Sequence, residues 1–264
     1  MRFCVLGSGS KGNATFVEGG GCTLLIDAGF SGVEVERRLR AIGYEADDLS
    51  AILVTHEHTD HVKGVQVLSR RFQIPVYISS PTLAAAGKNL ARVDLLQEIK
   101  AGEHFKVNGL EIHPFSLSHD SVDPLGFRLS SGGYSLGYCT DTGFVSRVMQ
   151  HWLSGCNGLV LECNHDLEML KNGTYPPHLQ QRIRSRSGHL ANGEAAQFLK
   201  ELVHDGLRHV VLAHLSESNN TPELALQTVQ KLLEDMFDPA LSGFHFQVSV
   251  AEQDVVGQVV FLER

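Results

Sequence analysis

Ile52-Leu53-Val54-Thr55-His56-Glu57-His58-Thr59-Asp60-His61 carries the reading of this chain. Ile52, Leu53 and Val54 form an unbroken apolar run of the kind that makes a strand covered on both faces. The run stops at Thr55, and three histidines and an aspartate follow within six residues. Imidazole nitrogens and carboxylate oxygens are ligands for zinc, manganese or iron. Four such groups crowded at the end of a buried strand, with no apolar neighbours to pack them, do little for stability. The stretch therefore reads as a metal loop rather than a helix cap. Its spacing suggests two metals, because His56 and His58 can point one way and Asp60 and His61 the other. All four around one tetrahedral ion would close it, whereas ligands arriving from elsewhere would make the site dinuclear and open.

Outward from this loop, other strands end in polar clusters. Leu110 to Leu117 reads as a strand, paired with Phe105 onward through a turn at Asn108-Gly109. It ends at Ser118-His119-Asp120, 58 residues past His61, and a histidine placed there is a ligand candidate. Leu125 to Leu129 and Tyr134 to Cys139 pair around Ser131-Gly132-Gly133, and the second runs into Thr140-Asp141-Thr142-Gly143. Gly158 to Leu161 runs into Glu162-Cys163-Asn164-His165-Asp166, and His209 to Ala213 into His214-Leu215-Ser216. Upstream, Cys22 to Ile26 ends at Asp27-Ala28-Gly29, where the aspartate is expected to support the metal loop from behind. Arg2 to Leu6 is a first strand. The Ser8-Gly9-Ser10-Lys11-Gly12-Asn13 segment after it is either a hairpin turn or a set of exposed N–H and hydroxyl groups for phosphate. Helices are expected at Val33 to Ile42 with Arg37, Arg38 and Arg40 on its solvated face, around Val65 to Leu68, and at Thr82 to Leu90. Others are expected at Phe144 to Leu153, His178 to Ile183, Glu194 to Val203 and after Thr221-Pro222-Glu223. Pro75 to Ile78, Phe244 to Val250 and Val255 to Phe261 read as further strands.

The 264 residues, 42% hydrophobic, suffice for a sizeable core, and without a composition break residues 1–264 read as one domain. No run approaches the ~18 apolar residues that a membrane helix needs. Five cysteines without a C-x-x-C pair fit reduced, buried thiols, and the protein is expected to be cytoplasmic. A net charge of −8 argues against a general nucleic-acid coating protein. The most basic stretch, Gln181 to His189, offers Arg182, Arg184 and Arg186 either as a solvated face or as an anion-binding strip.

The H-x-H-x-D-H pattern of His56 to His61 resembles the metallo-β-lactamase superfamily. That resemblance implies an α/β fold, an αββα sandwich of two mixed β-sheets flanked by helices with metals at one edge. It also implies a ligand set: His56, His58 and His119 for one metal, Asp60, His61 and His214 for the other, and Asp141 bridging. Such a pair of divalent ions (Zn, Mn or Fe), ~3.5–4 Å apart, shares a hydroxide nucleophile. Six further motifs look like the YycJ (WalJ) family. They are S-G-S-x-G-N (Ser8 to Asn13), L-E-x-N-H-D (Leu161 to Asp166), Y-P-x-x-L (Tyr175 to Leu179), R-I-x-S (Arg182 to Ser185), G-H-L (Gly188 to Leu190) and H-L-S-x-x-N-N-x-P-E (His214 to Glu223). Lys11 and Ala191 depart from that pattern, standing where serines are usual. The family resemblance implies a metal-dependent phosphodiesterase, a 5′→3′ exonuclease with DNA as its substrate partner. The expected substrate contacts are Ser8, Ser10, Asn13, Asn164, His165, Arg182, Ser216, Asn219 and Asn220. The alternative is a small-molecule hydrolase, either a cyclic phosphodiesterase or a glyoxalase-type lactonase or thioesterase, which the acidic charge favours. The 21 residues between His119 and Asp141 leave no room for the arm of tRNase Z, and the 72 between Asp141 and His214 none for the extra domain of the RNase J group.

Expelling an alkoxide from phosphorus needs a positioned proton donor, typically worth 10²–10⁴-fold. Besides Asp60 in the metal loop, the expected catalytic residues are His189 as general acid and Glu162 as the carboxylate that orients it. The reading rests on the position of Gly188-His189-Leu190 between Asp141 and His214, an interval that supplies the acid in tRNase Z. His165 is the reserve candidate.

Overall fold

The computed structural model describes residues 1–234 and 246–263. The first half of the chain contributes β1 (Arg2–Gly7), β2 (Ala14–Gly19), β3 (Cys22–Ile26), α1 (Gly32–Ala41), β4 (Ala51–Leu53), α2 (Thr59–Val62), α3 (Val65–Phe72), β5 (Val76–Ile78), α4 (Ser80–Ala86) and β6 (Leu96–Glu98). The rest of the chain contributes β7 (Phe105–Val107), β8 (Leu110–Ser116), β9 (Leu125–Ser131), β10 (Tyr134–Cys139), α5 (Arg147–Leu153), β11 (Gly158–Glu162), α6 (Leu167–Asn172), α7 (Pro177–Ile183), α8 (Asn192–Leu202), β12 (His209–Ala213), α9 (Pro222–Glu234), β13 (Gln247–Val250) and β14 (Val260–Phe261). They form two seven-stranded sheets, in the orders β14-β1-β2-β3-β4-β5-β6 and β13-β12-β11-β10-β9-β8-β7.

The strands are apolar on both faces because both faces are covered. In β1, Phe3 and Val5 enter the layer between the sheets, while Cys4 and Leu6 face α1 and α3. In β11, Val160 enters the inner layer and Leu159 and Leu161 the layer under α5, α8 and α9. Period-two side-chain alternation thus builds three apolar layers, helix–sheet–sheet–helix, which is the αββα sandwich expected.

The two sheets repeat one plan that the sequence does not display. β2 pairs antiparallel with β3, which pairs parallel with β4; β9 pairs antiparallel with β10, which pairs parallel with β11. The parallel strands deliver their carboxyl ends to one edge, the usual place for a ligand in such sheets. Asp27 follows β3, Thr55 to His61 follow β4, Asp141 follows β10, Glu162 ends β11 and His214 follows β12.

Several expectations need correction. Arg38 is not on the solvated face of α1: it is 3% exposed. Its guanidinium donates to the Leu6 and Gln253 carbonyls at 2.6 and 3.1 Å and to Glu34 at 2.6 Å, and it lies over the Phe30 ring. The helix expected from Phe144 begins at Arg147, because the Ser146 hydroxyl caps it by accepting from the Met149 N–H. Of Val255 to Phe261, only Val260–Phe261 pair with β1; Gly257 instead packs against Val5, where an added Cβ would sit 2.9 Å from the Val5 carbonyl. The strand expected from Phe244 starts outside the described residues, and its described part is Gln247–Val250.

Candidate metal centre

The metal loop turns off the end of β4 at Thr55, and a buried aspartate sets its shape. Asp27 accepts from the Thr55 N–H and hydroxyl, each at 2.8 Å, and faces His61 Nδ1 at 2.7 Å. That contact occupies Nδ1 and leaves Nε2 of His61 turned toward Asp60, Asp141 and the Asn13 amide. Gly29 lets the loop close. A Cβ there would fall 1.6 Å from the Asp60 carbonyl oxygen, so no other residue fits this crossing without moving the loop.

Asp141 occupies the centre. Its Oδ1 lies 3.8 Å from His119 Nε2 and 3.2 Å from His214 Nδ1, and its Oδ2 lies 3.5 Å from His61 Nε2. Donor atoms within 4.8 Å of one another form four overlapping groups: His56, His58 and His119; Asp60, His61 and His214; His56, His61 and Asp141; and Asp141, Glu162, His189 and His214. His119 is aimed by its Nδ1, which donates to the Gly188 carbonyl at 3.1 Å. Behind His214 stands Glu162, fully buried, whose Oε1 is 3.0 Å from His214 Nδ1 and 2.8 Å from His189 Nδ1. Its Oε2 accepts from the Thr142 and Leu190 N–H groups.

Three side-chain-bearing residues here hold left-handed backbone: Asp27 at φ 60°, Asp141 at φ 61° and His214 at φ 57°. Such conformations cost of order 1–3 kcal/mol each and persist where surrounding contacts over-determine them. Asp27 and Asp141 follow corresponding strands of the repeated plan, so one strained turn is used twice.

The electrostatics are those of a closely packed polar cluster. Burial works against charge on Asp60, but the neighbouring His214 and His61 imidazoles outweigh it and hold its carboxyl well below the usual range. Burial together with the neighbouring imidazoles pushes His56 down, as a neutral ligand requires. Two buried polar atoms, Asp141 Oδ2 and His214 Nε2, have no hydrogen-bond partner among the described residues. Unpartnered buried polar atoms are costly, and a divalent cation would satisfy both. The donor set of imidazole nitrogen and carboxylate oxygen fits such an ion.

The expected substrate contacts divide into two sets. Ser10, Asn164, Arg182 and Ser216 line a cleft of about 180 Å³ beside His189, together with Tyr175. The rest are buried within the protein. Ser8 bonds Asn13 and accepts from the His214 N–H, and Asn13 reaches Asp60 and His61. Asn220 donates to the carbonyls of Cys163 and Asn164. Asn219 is 1% exposed, as is His165, whose two ring nitrogens have no hydrogen-bond partner among the described residues. The Gly/Ser segment is therefore both a turn and a brace. Of the three arginines in the basic stretch, Arg182 lines the cleft paired to Asp120, Arg186 lies over the Phe144 ring, and Arg184 is exposed. Sequence reasoning passed over Glu57, whose Oε1 accepts from the Val122 N–H at 2.9 Å and ties the metal loop to the segment that carries His119. It also passed over Asp120. A charge directly after a candidate ligand was the signal available for it.

The sequence matches a family described as a β-lactamase superfamily domain over residues 23–215. It is 38% identical to the exodeoxyribonuclease YycJ of Bacillus anthracis over 89% of this chain and 90% of that protein. It is 37% identical to the exodeoxyribonuclease WalJ of Streptococcus pneumoniae over 87% of each. Among solved structures, the metallo-β-lactamase fold protein YhfI of Bacillus subtilis superimposes with a TM-score of 0.72 at 16% identity, over 98% of both chains. Among the described residues no helix is long and apolar enough to cross a membrane.

Proposed function

The chain belongs to the metallo-β-lactamase superfamily and, within it, to the YycJ/WalJ family of metal-dependent hydrolases, and from that premise we propose that residues 1–264 are one hydrolase domain that removes nucleotides from a DNA strand end, in the 5′→3′ direction. The observation that carries the reading is the placement of Asp141 among both groups of donors, with Oδ1 toward His119 and His214 and Oδ2, without a hydrogen-bond partner among the described residues, toward His61. His56, His58 and His119 would hold one ion, and Asp60, His61 and His214 a second, with Asp141 between them. Divalent ions in these positions supply Lewis acidity and ionise water near neutral pH.

The chain's own groups do the rest. Ser10, Asn164, Arg182 and Ser216 present donors to phosphate oxygens and sugar in the cleft beside the cluster. Arg182 keeps its guanidinium directed by the Asp120 carboxylate. His189 is half-buried at the cleft wall and its Nδ1 is taken by Glu162, so Nε2 is the atom left to hand a proton to the departing oxygen. Glu162 also braces His214, which couples the acid to the ligand set through one carboxylate.

The small cleft favours a second reading, a single small phosphodiester as substrate. Strands of DNA labelled at either end separate the two. Incubated with metal-reconstituted protein, the first reading gives stepwise release of mononucleotides from the 5′ end, abolished by a chelator. Hydrolysis of bis(p-nitrophenyl) phosphate with intact strands would establish the second.

A further inference from the structure

We propose that an ion pair between Lys11 and Glu217, backed by Glu252 and Asp254, closes one end of the cleft to a phosphodiester chain, so that the enzyme acts at strand ends and spares strands that have none; this rests on the nuclease reading above. Two loops meet here. The loop between β1 and β2 places Ser10 in the cleft, and the loop after β12 places Ser216 there. The next residue of each loop makes the pair: the Lys11 ammonium donates to the Glu217 carboxylate. The bridge therefore joins the first sheet to the second immediately beyond the two cleft serines.

Both loops are braced. The Lys11 N–H donates to Gln253 Oε1 at 2.7 Å, and Gln253 Nε2 donates to the Gly12 carbonyl at 2.9 Å. A Cβ on Gly9 would fall 2.7 Å from the same Gln253 Oε1, so the loop lies directly against residue 253. On the other side, the Ser216 N–H donates to the Asn164 carbonyl at 2.8 Å, and the Ser216 hydroxyl accepts from the Asn219 N–H at 3.2 Å.

Beyond the bridge lies a second hollow. Ser216 lines it as well as the cleft, together with Glu217, Thr221, Glu252, Asp254 and Val255, and its volume is about 480 Å³. A strand running through the cleft would continue into this hollow, and its charge opposes that. Glu217, Glu252 and Asp254 are exposed carboxylates, and Asp254 adds to the pull of Glu217 on the Lys11 ammonium. A phosphate that drew Lys11 away would meet the freed Glu217 carboxylate as well as the other two. The α7 wall of the cleft has the opposite sign: Arg182 lines it, and Arg184 and Arg186 are exposed after it. A polyanion is repelled by the first surface and drawn to the second. Cutting within a strand needs chain on both sides of the scissile bond, whereas cutting at an end needs it on one side only. The arginine side supplies that one path.

Circular single-stranded DNA has no ends and tests the barrier directly. Metal-loaded full-length protein should digest linear strands and leave circles of the same sequence closed. Glu217→Lys breaks the bridge by like charge and replaces an acid with a base, and it should open circles at least about tenfold faster than the unaltered protein. Lys11→Glu breaks the same bridge but adds an acid, and it should leave circles closed. Exposed ion pairs contribute little to stability, so both variants should fold, bind metal as before and still digest linear strands. Circles opened by the unaltered protein as fast as linear strands are digested, circles spared by Glu217→Lys, or circles opened equally by both variants would overturn the barrier and leave the nuclease reading standing. Linear strands left intact by the unaltered protein would overturn the nuclease reading and the barrier with it.

Discussion

Asp27 and Asp141 show what a single residue contributes here. Each sits in left-handed backbone just beyond a strand end, and each places a carboxylate where a helix or a straight strand could not. The H-x-H-x-D-H motif was legible because its meaning lies in spacing over six residues. The roles of Asp27, Glu57 and Glu162 were less so, because their partners lie 28, 65 and 52 residues away along the chain. His189 can be tested by leaving group. His189→Ala should slow hydrolysis of natural diesters by about 10²–10⁴-fold and that of p-nitrophenyl diesters far less, since p-nitrophenolate leaves unaided, with metal content unchanged. Equal slowing on both, or loss of metal, would mean that His189 is not the acid. His165 makes a separate, pH-dependent prediction. Burial pushes it down to about 4, below the ordinary ~6.5 of a histidine in an unfolded chain. The unfolded state therefore takes up the proton first. Stability from the neutral buried ring is complete above about pH 6.5 and is lost as pH falls toward about 4. In His165→Asn, the drop in unfolding free energy between about pH 7 and 4 should shrink by on the order of 3 kcal/mol. An unchanged drop would mean that His165 is protonated in the native state.

At the scale of elements, α1 does more than cover the first sheet. Its buried Arg38 joins the end of β1 to the Gln253 backbone, and the Gln253 side chain in turn bonds Gly12 and Lys11 of the segment that carries Asn13. Local pattern assigned Arg38 to the surface because its neighbours Arg37 and Arg40 are exposed and it lies four residues from Glu34, the spacing of an ordinary surface pair. What it cannot reveal is a carbonyl 215 residues away. Arg38→Met should cost about 3–5 kcal/mol, as removal of one partner from a buried charged network does, and chemical denaturation measures it. A loss below about 1 kcal/mol would place Arg38 with ordinary surface ion pairs. Most strands and helices were readable from their periodicity. The exceptions were ends set by one local bond, such as the Ser146 cap, or by a close approach, such as Gly257 against Val5.

Across the whole molecule, the αββα sandwich was legible from the metal loop and its resemblance, while the repeat of one plan in both sheets was not. Its two halves share strand pairing and a strained aspartate, not residues, since a sheet covered on both faces asks only for apolar strands and turns. The net charge of −8 was read as arguing only against a general nucleic-acid coating protein, since charge summed over a surface says little about a cleft lined by Arg182 beside a cluster of metal-ligand candidates. The account stands or falls on Asp141 serving two ions at once. The most direct measurement adds metal stepwise to metal-free protein while following bound metal and the rate of nucleotide release from labelled DNA. The account predicts two ions bound per chain, a rate that appears with the second equivalent, and in Asp141→Ala the loss of at least one ion and of all turnover. Full nucleotide release at one ion per chain would contradict it.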